Sequence, residues 1–184
     1  MKRAVTLSAG ALLLALSLSA CITVNVPPRS DSPNAPAASN PPATNGSDDD
    51  DFANAVTMPC IEDDIVLSGL TAPTIVTGDC DSVTLEGNNA NVRIEKTASL
   101  TMRGDGNDVD VAEVNTVLIN GQDNDVDVTT SGITVVEIAG DDNSVGTRGD
   151  IGAVVVNGNE NDIEFAGKLG EKAENGTGNT FGDD

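Results

Sequence analysis

Gly104-Asp-Gly-Asn107-Asp-Val109 is followed by Gly121-Gln-Asp-Asn124-Asp-Val126, Gly140-Asp-Asp-Asn143-Ser-Val145, Gly158-Asn-Glu-Asn161-Asp-Ile163 and Gly176-Thr-Gly-Asn179-Thr-Phe181. The unit is Gly-x-x-Asn-x-(Val/Ile/Phe). Gly87 to Val92 is a variant with Ala90 in the asparagine slot, and Gly69 keeps only the glycine and the spacing. From Gly69 to Gly176 successive glycines stand 18, 17, 17, 19, 18 and 18 residues apart. A fixed period of this size belongs to chains that stack coil on coil rather than to ordinary globular domains.

The residues around each glycine alternate. Four positions before it stand Ile65, Val83, Leu100, Val117, Val136 and Val154, and two before it Leu67, Leu85, Met102, Ile119, Ile138 and Val156. Five after it stand Val92, Val109, Val126, Val145, Ile163 and Phe181, and seven after it Ile94, Val111, Val128, Thr147 and Phe165. Polar residues separate most of them, which is period-two alternation on both sides of a turn. Each coil therefore reads as strand, Gly-x-x-Asn turn, strand and a looser return. The fold is predicted to be all-β, a parallel β-solenoid (β-helix) of about six or seven coils. At about 4.8 Å per rung its length is roughly 30 Å. Aromatic residues make up 2% of the chain, so the thin core is built from Val, Ile and Leu.

Two slots have distinct physical reasons. Gly87, Gly104, Gly121, Gly140, Gly158 and Gly176 mark corners, where glycine adopts positive φ cheaply. Asn107, Asn124, Asn143, Asn161 and Asn179 share one slot on consecutive coils. Stacked amides donate to one neighbouring rung and accept from the other, satisfying polar atoms in a buried corner. Binding through this column is the alternative, but a buried amide must be paired in any case. Lys172 and Glu174 replace the apolar pair before Gly176, so the last coil reads as half a rung with a polar capping strand.

The N-terminus has a separate purpose. Lys2 and Arg3 precede an apolar run from Ala11 to Leu18, too short for a permanent membrane helix, and Leu18-Ser19-Ala20-Cys21 matches the lipobox of bacterial lipoprotein signal peptides. Residues 1–20 read as a signal peptide and Cys21 as the lipidated first residue, whose acyl chains (palmitate among them) suffice for stable anchoring. Residues 21–51 read as a disordered Pro/Ser/Asn/Asp tether, 52–81 as an N-terminal cap and first coil, and 82–184 as solenoid repeats with a C-terminal cap. The expected location is the extracytoplasmic face of the cell membrane. Cys60 and Cys80 remain, an even pair in an oxidising compartment and about one coil apart, which predicts a disulfide stapling the first rung. A free thiol is the alternative, although Glu62, Asp79 and Asp81 beside these cysteines would not activate one.

With these residues identified, the pattern resembles a bacterial family, domain of unknown function 3060, over about residues 61 to 181. Its members are similar in their lipoprotein signals, low-complexity tethers and tandem Gly-x-x-Asn-x-Val units. The resemblance implies the solenoid fold and the envelope address. It implies no catalytic residue.

The chain's formal net charge is −21, and removing residues 1–20 takes away Lys2 and Arg3 and no acid, leaving −23. Nucleic acid and anionic lipid head groups are therefore poor partners for the body of the domain, and no nucleic-acid partner is expected, whereas cations and basic partners suit it. No histidine, tyrosine or tryptophan is present, which removes Ser/His/Asp and Cys/His chemistry and most ligand-stacking platforms. A carboxylate pair acting on polysaccharide is a distant possibility, for which Arg93, Arg103 and Arg148 occupy mismatched coil positions. Calcium is the sharper rival. Asp105, Asp108, Asp110, Asp123, Asp125, Asp127, Asp141 and Asp142 crowd three turns. Asp108, Asp125 and Asp162 share one column, and Asp110, Asp127 and Glu164 another. Calcium takes about six to eight oxygens, which stacked turns could supply; Asp108, Asp110, Asp125 and Asp127 are the candidate ligands. Against this, β-roll calcium repeats run about every nine residues, Ser144 interrupts the first column, and outward acids also serve solubility. An ice-binding face would need a Thr ladder, and the column Thr84, Thr101, Leu118, Glu137 and Val155 is none. Its outward Leu118 and Val155 suggest contact with a partner or with the return segment. The reading is a non-catalytic binding or structural module at the envelope, needing no cofactor, with an envelope protein or polysaccharide as partner. A calcium-stabilised module is the alternative.

Overall fold

The computed structural model describes residues 52–61 and 63–182. The signal peptide, Cys21 and the tether, residues 1–51, lie outside the described residues. Twelve strands follow one another among those described: β1 (Val56–Pro59), β2 (Asp64–Ser68), β3 (Thr74–Glu86), β4 (Asn91–Arg103), β5 (Asp108–Asn120), β6 (Asp125–Val128), β7 (Ile133–Ala139), β8 (Ser144–Thr147), β9 (Ile151–Asn157), β10 (Asp162–Phe165), β11 (Leu169–Asn175) and β12 (Thr180–Gly182). All pairs are parallel, each strand lying beside the equivalent one in the next coil. The architecture is the expected parallel β-solenoid. β1 with β2 makes rung one, β3, β4 and β5 make rungs two to four, and the pairs β6–β7, β8–β9 and β10–β11 make rungs five to seven. β12 opens an eighth.

The alternating sequence explains the packing. Val83, Leu100, Val117, Val136 and Val154 stack as one buried column, and Leu85, Met102, Ile119, Ile138 and Val156 as another. Val92, Val109, Val126, Val145 and Ile163 form a third, from the strands after the turn. Burial of each such side chain contributes roughly 1.5–3 kcal/mol, so these columns drive stacking. A further inward column, seven residues before each repeat glycine, escaped the sequence reading. It runs Cys80, Thr97, Val114, Ile133 and Ile151, all buried, and ends at half-buried Leu169. Mixed chemistry disguised it. Thr97 belongs in the core because its hydroxyl donates to the Ser99 carbonyl at 2.9 Å.

Two details differ from the expectation. First, β1 and β2 of rung one both keep an 18-residue register with β3, although the Gly69 corner does not stack beneath Gly87, and the boundary placed at residue 81 falls inside β3. The reason is that β3 continues through a bulge between Val76 and Asp79 without leaving its partner β4. Second, Cys60 and Cys80 are bonded, with Cα atoms 5.8 Å apart, but they are not stacked. The 18-residue register puts Cys60 beside Gly78, whose missing Cβ would lie 3.8 Å from that of Cys60, so the disulfide runs diagonally between rungs.

Five of the six corner glycines, Gly87, Gly104, Gly121, Gly140 and Gly176, have the expected positive φ, between 132° and 158°; Gly158 is not among the positive-φ residues. The stronger constraint is contact. A Cβ on Gly104, Gly121, Gly140, Gly158 or Gly176 would lie 1.7–2.0 Å from the carbonyl oxygen of the preceding corner glycine. Only Gly87 would meet nothing, because Gly69 does not stack beneath it. Gly140→Ala is therefore expected to destabilise the fold by more than about 3 kcal/mol, through overpacking against backbone. Gly87→Ala should cost only about 1–2 kcal/mol, through backbone strain. Urea unfolding of the two variants checks the ranking; equal losses would make backbone conformation, not contact, the reason for glycine.

Candidate functional site

The Gly-x-x-Asn corners are the most repeated chemical arrangement in the molecule. Asn107, Asn124, Asn143 and Asn161 are buried and Asn179 is half-buried. Each Nδ2 donates forward to the Oδ1 of the next asparagine, at 2.8–3.0 Å from Asn107 through to Asn179. The same Oδ1 accepts the main-chain N–H of the preceding asparagine at 3.0–3.1 Å. The second Nδ2 proton goes back to a corner glycine: Asn107 to the Gly87 carbonyl, Asn124 to Gly104, Asn143 to Gly121, Asn161 to Gly140 and Asn179 to Gly158, all at 3.0 Å. Ala90 starts the column, its N–H donating to Asn107 Oδ1 at 3.1 Å.

A second ladder, which the sequence reading missed, runs outside the first with the opposite sense. One residue after the glycine, Asn88 Oδ1 accepts from Asp105 N–H at 2.8 Å and Asp105 Oδ1 from Gln122 N–H at 2.9 Å. Asp141 Oδ1 accepts from Asn159 N–H at 2.7 Å, and Asn159 Oδ1 from Thr177 N–H at 3.1 Å. Two residues after the glycine the backbone turns left-handed at Asn89, Gly106, Asp123, Asp142, Glu160 and Gly178, with φ from 54° to 76°. Asn and Asp tolerate that region better than most residues. The acids that crowd the turns thus have local reasons. Asp105 and Asp141 accept backbone protons, and Asp123 and Asp142 fit a left-handed backbone. The signal in the sequence was the Asn/Asp preference at those two positions.

The remaining candidate ligands face outward from the strands after the turn. Asp108 registers with Asp125, and Asp110 with Asp127. The next rung interrupts both columns, with Ser144 beside Asp125 and Gly146 beside Asp127. Asp110 pairs with Arg93 at 3.4 Å. The carboxylates are thus arranged two by two, and among the described residues no three ligating side chains are gathered as a metal would need. Gly146, which the sequence reading passed over, lies in the lining of a groove of about 670 Å³ bordered by Asp110, Asp127, Arg148 and Glu164, with Val128 and Phe165 among its apolar lining.

Cations concentrate on rung three. Arg93 reaches Asp110 on rung four, and Arg103 reaches Glu86 on rung two at 3.1 Å. Lys96 lies between Asp79 at 2.9 Å and Glu113 at 3.8 Å. The hydrogen bond and charge of Asp79, then the charge of Glu113, hold the Lys96 ammonium above its ordinary pKa. Arg93 also covers the Phe52 ring, 4.3 Å from its centroid. These pairs are solvent-screened, so they temper like-charge repulsion between rungs rather than hold the rungs together. Leu118 and Val155, the apolar residues of the outward column, are half-buried among Thr101, Glu137 and Ala173.

The polar last strand closes the asparagine column. Asn179 has no further asparagine to donate to, and its Nδ2 donates to Glu174 Oε1 at 3.1 Å. Lys172 pairs with Glu174 at 3.2 Å and stands 4.0 Å from the Phe181 ring centroid. The Asn179 hydrogen bond, then that of Lys172, hold the Glu174 carboxyl below its ordinary pKa.

Residues 67–120 match a family model described as Protein of unknown function (DUF3060). The match spans rungs one to four, from Leu67 on β2 to the end of β5. No curated protein and no solved structure matches the chain.

Two expected outcomes test these contacts. Asn143→Ala removes the acceptor for Asn124 Nδ2 and N–H and the donor to the Gly121 carbonyl, so a loss of about 3 kcal/mol or more is expected in urea unfolding. For Glu174 the depressed folded pKa means stabilisation that is present above the unfolded value and lost as pH falls through the folded one. The stability difference between wild type and Glu174→Ala should therefore shrink on acidification below the ordinary glutamate range; a difference that stays constant with pH would deny the carboxylate its capping role.

Proposed function

We propose that this protein is a lipid-anchored, extracytoplasmic β-solenoid, held at the cell membrane through Cys21 and serving a non-catalytic binding or structural role at the envelope. The observation that carries the reading is the division of labour within the coil. Inward columns pack or close the corners, the turn acids satisfy backbone, and a rigid, periodic acidic face is left outside. Such a face suits display to a cationic or polar partner, an envelope protein or polysaccharide, and does not suit nucleic acid. We further assign the whole solenoid, not only residues 67–120, to the unknown-function family. The support is that the same glycine and asparagine columns continue on rungs five to seven.

The register pairs Asp108–Asp125 and Asp110–Asp127 favour calcium as the second reading. Thermal unfolding of the full chain in chelator, magnesium and calcium at matched ionic strength separates the two. Overlapping curves are expected. A calcium-specific rise would put the paired aspartates in a metal site; ligand at a hundred times its Kd would add about 2.7 kcal/mol. The anchor has its own test. Wild type should follow the detergent phase after processing in a bacterial host, and Cys21→Ser the aqueous phase; a wild type that partitions to water would refute lipidation.

A further inference from the structure

We propose that Asn175 is a site of spontaneous deamidation and isomerisation, singled out from the other Asn-Gly pairs of the solenoid by its place on the last full rung. The described residues hold three Asn-Gly pairs: Asn120-Gly121, Asn157-Gly158 and Asn175-Gly176. In each the asparagine is exposed and ends a strand. The pairs share a local sequence hazard, because glycine places no side chain over its own nitrogen. In the reaction the Gly176 main-chain nitrogen loses its proton to water and attacks Asn175 Cγ. A nitrogen–Cγ bond forms, the Cγ–Nδ2 bond breaks, and Nδ2 leaves as ammonia after taking up a proton. Water then opens the cyclic imide. Attack at Cγ gives aspartate, and attack at the main-chain carbonyl gives isoaspartate. No oxidant or reductant is involved.

The fold treats the three nitrogens differently. Gly121 N–H donates to the Ala139 carbonyl at 3.2 Å, and Gly158 N–H to the Asn175 carbonyl at 3.0 Å. Even the one Asp-Gly pair, Asp105-Gly106, has its glycine N–H bonded to the Gln122 carbonyl at 2.9 Å. Each bond runs to the next rung. Among the described residues β11 pairs only with β9, and the Gly176 N–H has no acceptor. Its neighbours in β11, from Gly170 to Asn175, are all exposed. Opening the last rung costs little, whereas freeing Gly121 or Gly158 requires separating stacked rungs. The column asparagines are shielded in another way: Asp108, Asp125, Ser144, Asp162 and Thr180 follow them, not glycine.

Conversion would matter to the corner. Isoaspartate inserts a methylene into the main chain directly before Gly176 and displaces the turn that presents Asn179 Oδ1 to Asn161. The test is to age the folded full chain at neutral to mildly alkaline pH in isotopically labelled water, and to map peptides by mass spectrometry. Asn175 should convert at least about tenfold faster than Asn120 and Asn157, as expected if terminal opening is easier than rung separation. In concentrated urea the three rates should converge. Equal rates in the folded chain, or no conversion at Asn175, would overturn the proposal. So would a ranking that persists in urea, since flanking sequence and not the rung would then be responsible.

Discussion

The hydrogen bond from one stacked asparagine amide to the next is the constraint on which this fold depends. From Gly104 to Gly176 the corners of adjacent rungs approach so closely that the glycine leaves no room for a Cβ, and the glycine carbonyl is then out of reach of the strand ladder. The asparagine Nδ2 is the donor that satisfies it. An unsatisfied group there would cost about 1–3 kcal/mol at every rung, comparable with the burial of an aliphatic side chain. Glycine and asparagine therefore belong together, one permitting the approach and the other supplying the missing proton.

That lock also explains where the coil varies in length. Every residue from two before the glycine to seven after it keeps its place, while the register shifts elsewhere. The offset changes at the bulge between Val76 and Asp79, between β6 and β7, where it passes from 17 to 19 residues, and between β8 and β9, where it passes from 19 to 18. All three changes fall at the corner opposite the Gly-x-x-Asn turn. There the backbone lacks a continuous side-chain ladder, so one or two residues more or less can be absorbed. A highly acidic chain tolerates such stacking because several acids face backbone N–H groups, and because Arg93, Lys96 and Arg103 on one rung reach acids on both sides.

The sequence made the architecture legible because corner and strand repeat in phase, so the columns could be written down before any coordinate. The asparagine column was legible for the same reason. What escaped was governed by geometry rather than by residue type. The column from Cys80 to Leu169 mixes sulfur, hydroxyl and aliphatic side chains, and only its position relative to the glycine identifies it. The left-handed position holds Asn, Gly, Asp and Glu by turns, which resembles variable surface. Asp105 and Asp141 read only as part of the acidic crowding of the turns, because charge is visible in a sequence while a backbone N–H aimed at a carboxylate is not. Gly146 could not be recognised as part of a groove lining until its neighbours stood on either side.

The asparagine column has a direction. All of its amides donate the same way, so their dipoles add along the stack much as peptide dipoles add along a helix, with the positive pole towards the last rung. Glu174 stands at that pole as aspartate does at a helix N-terminus, accepting from Asn179 Nδ2. Such a column has two unlike ends, as a helix does: Ala90 offers the first asparagine only a main-chain N–H, whereas Glu174 gives Asn179 a carboxylate, so the two positions are not interchangeable.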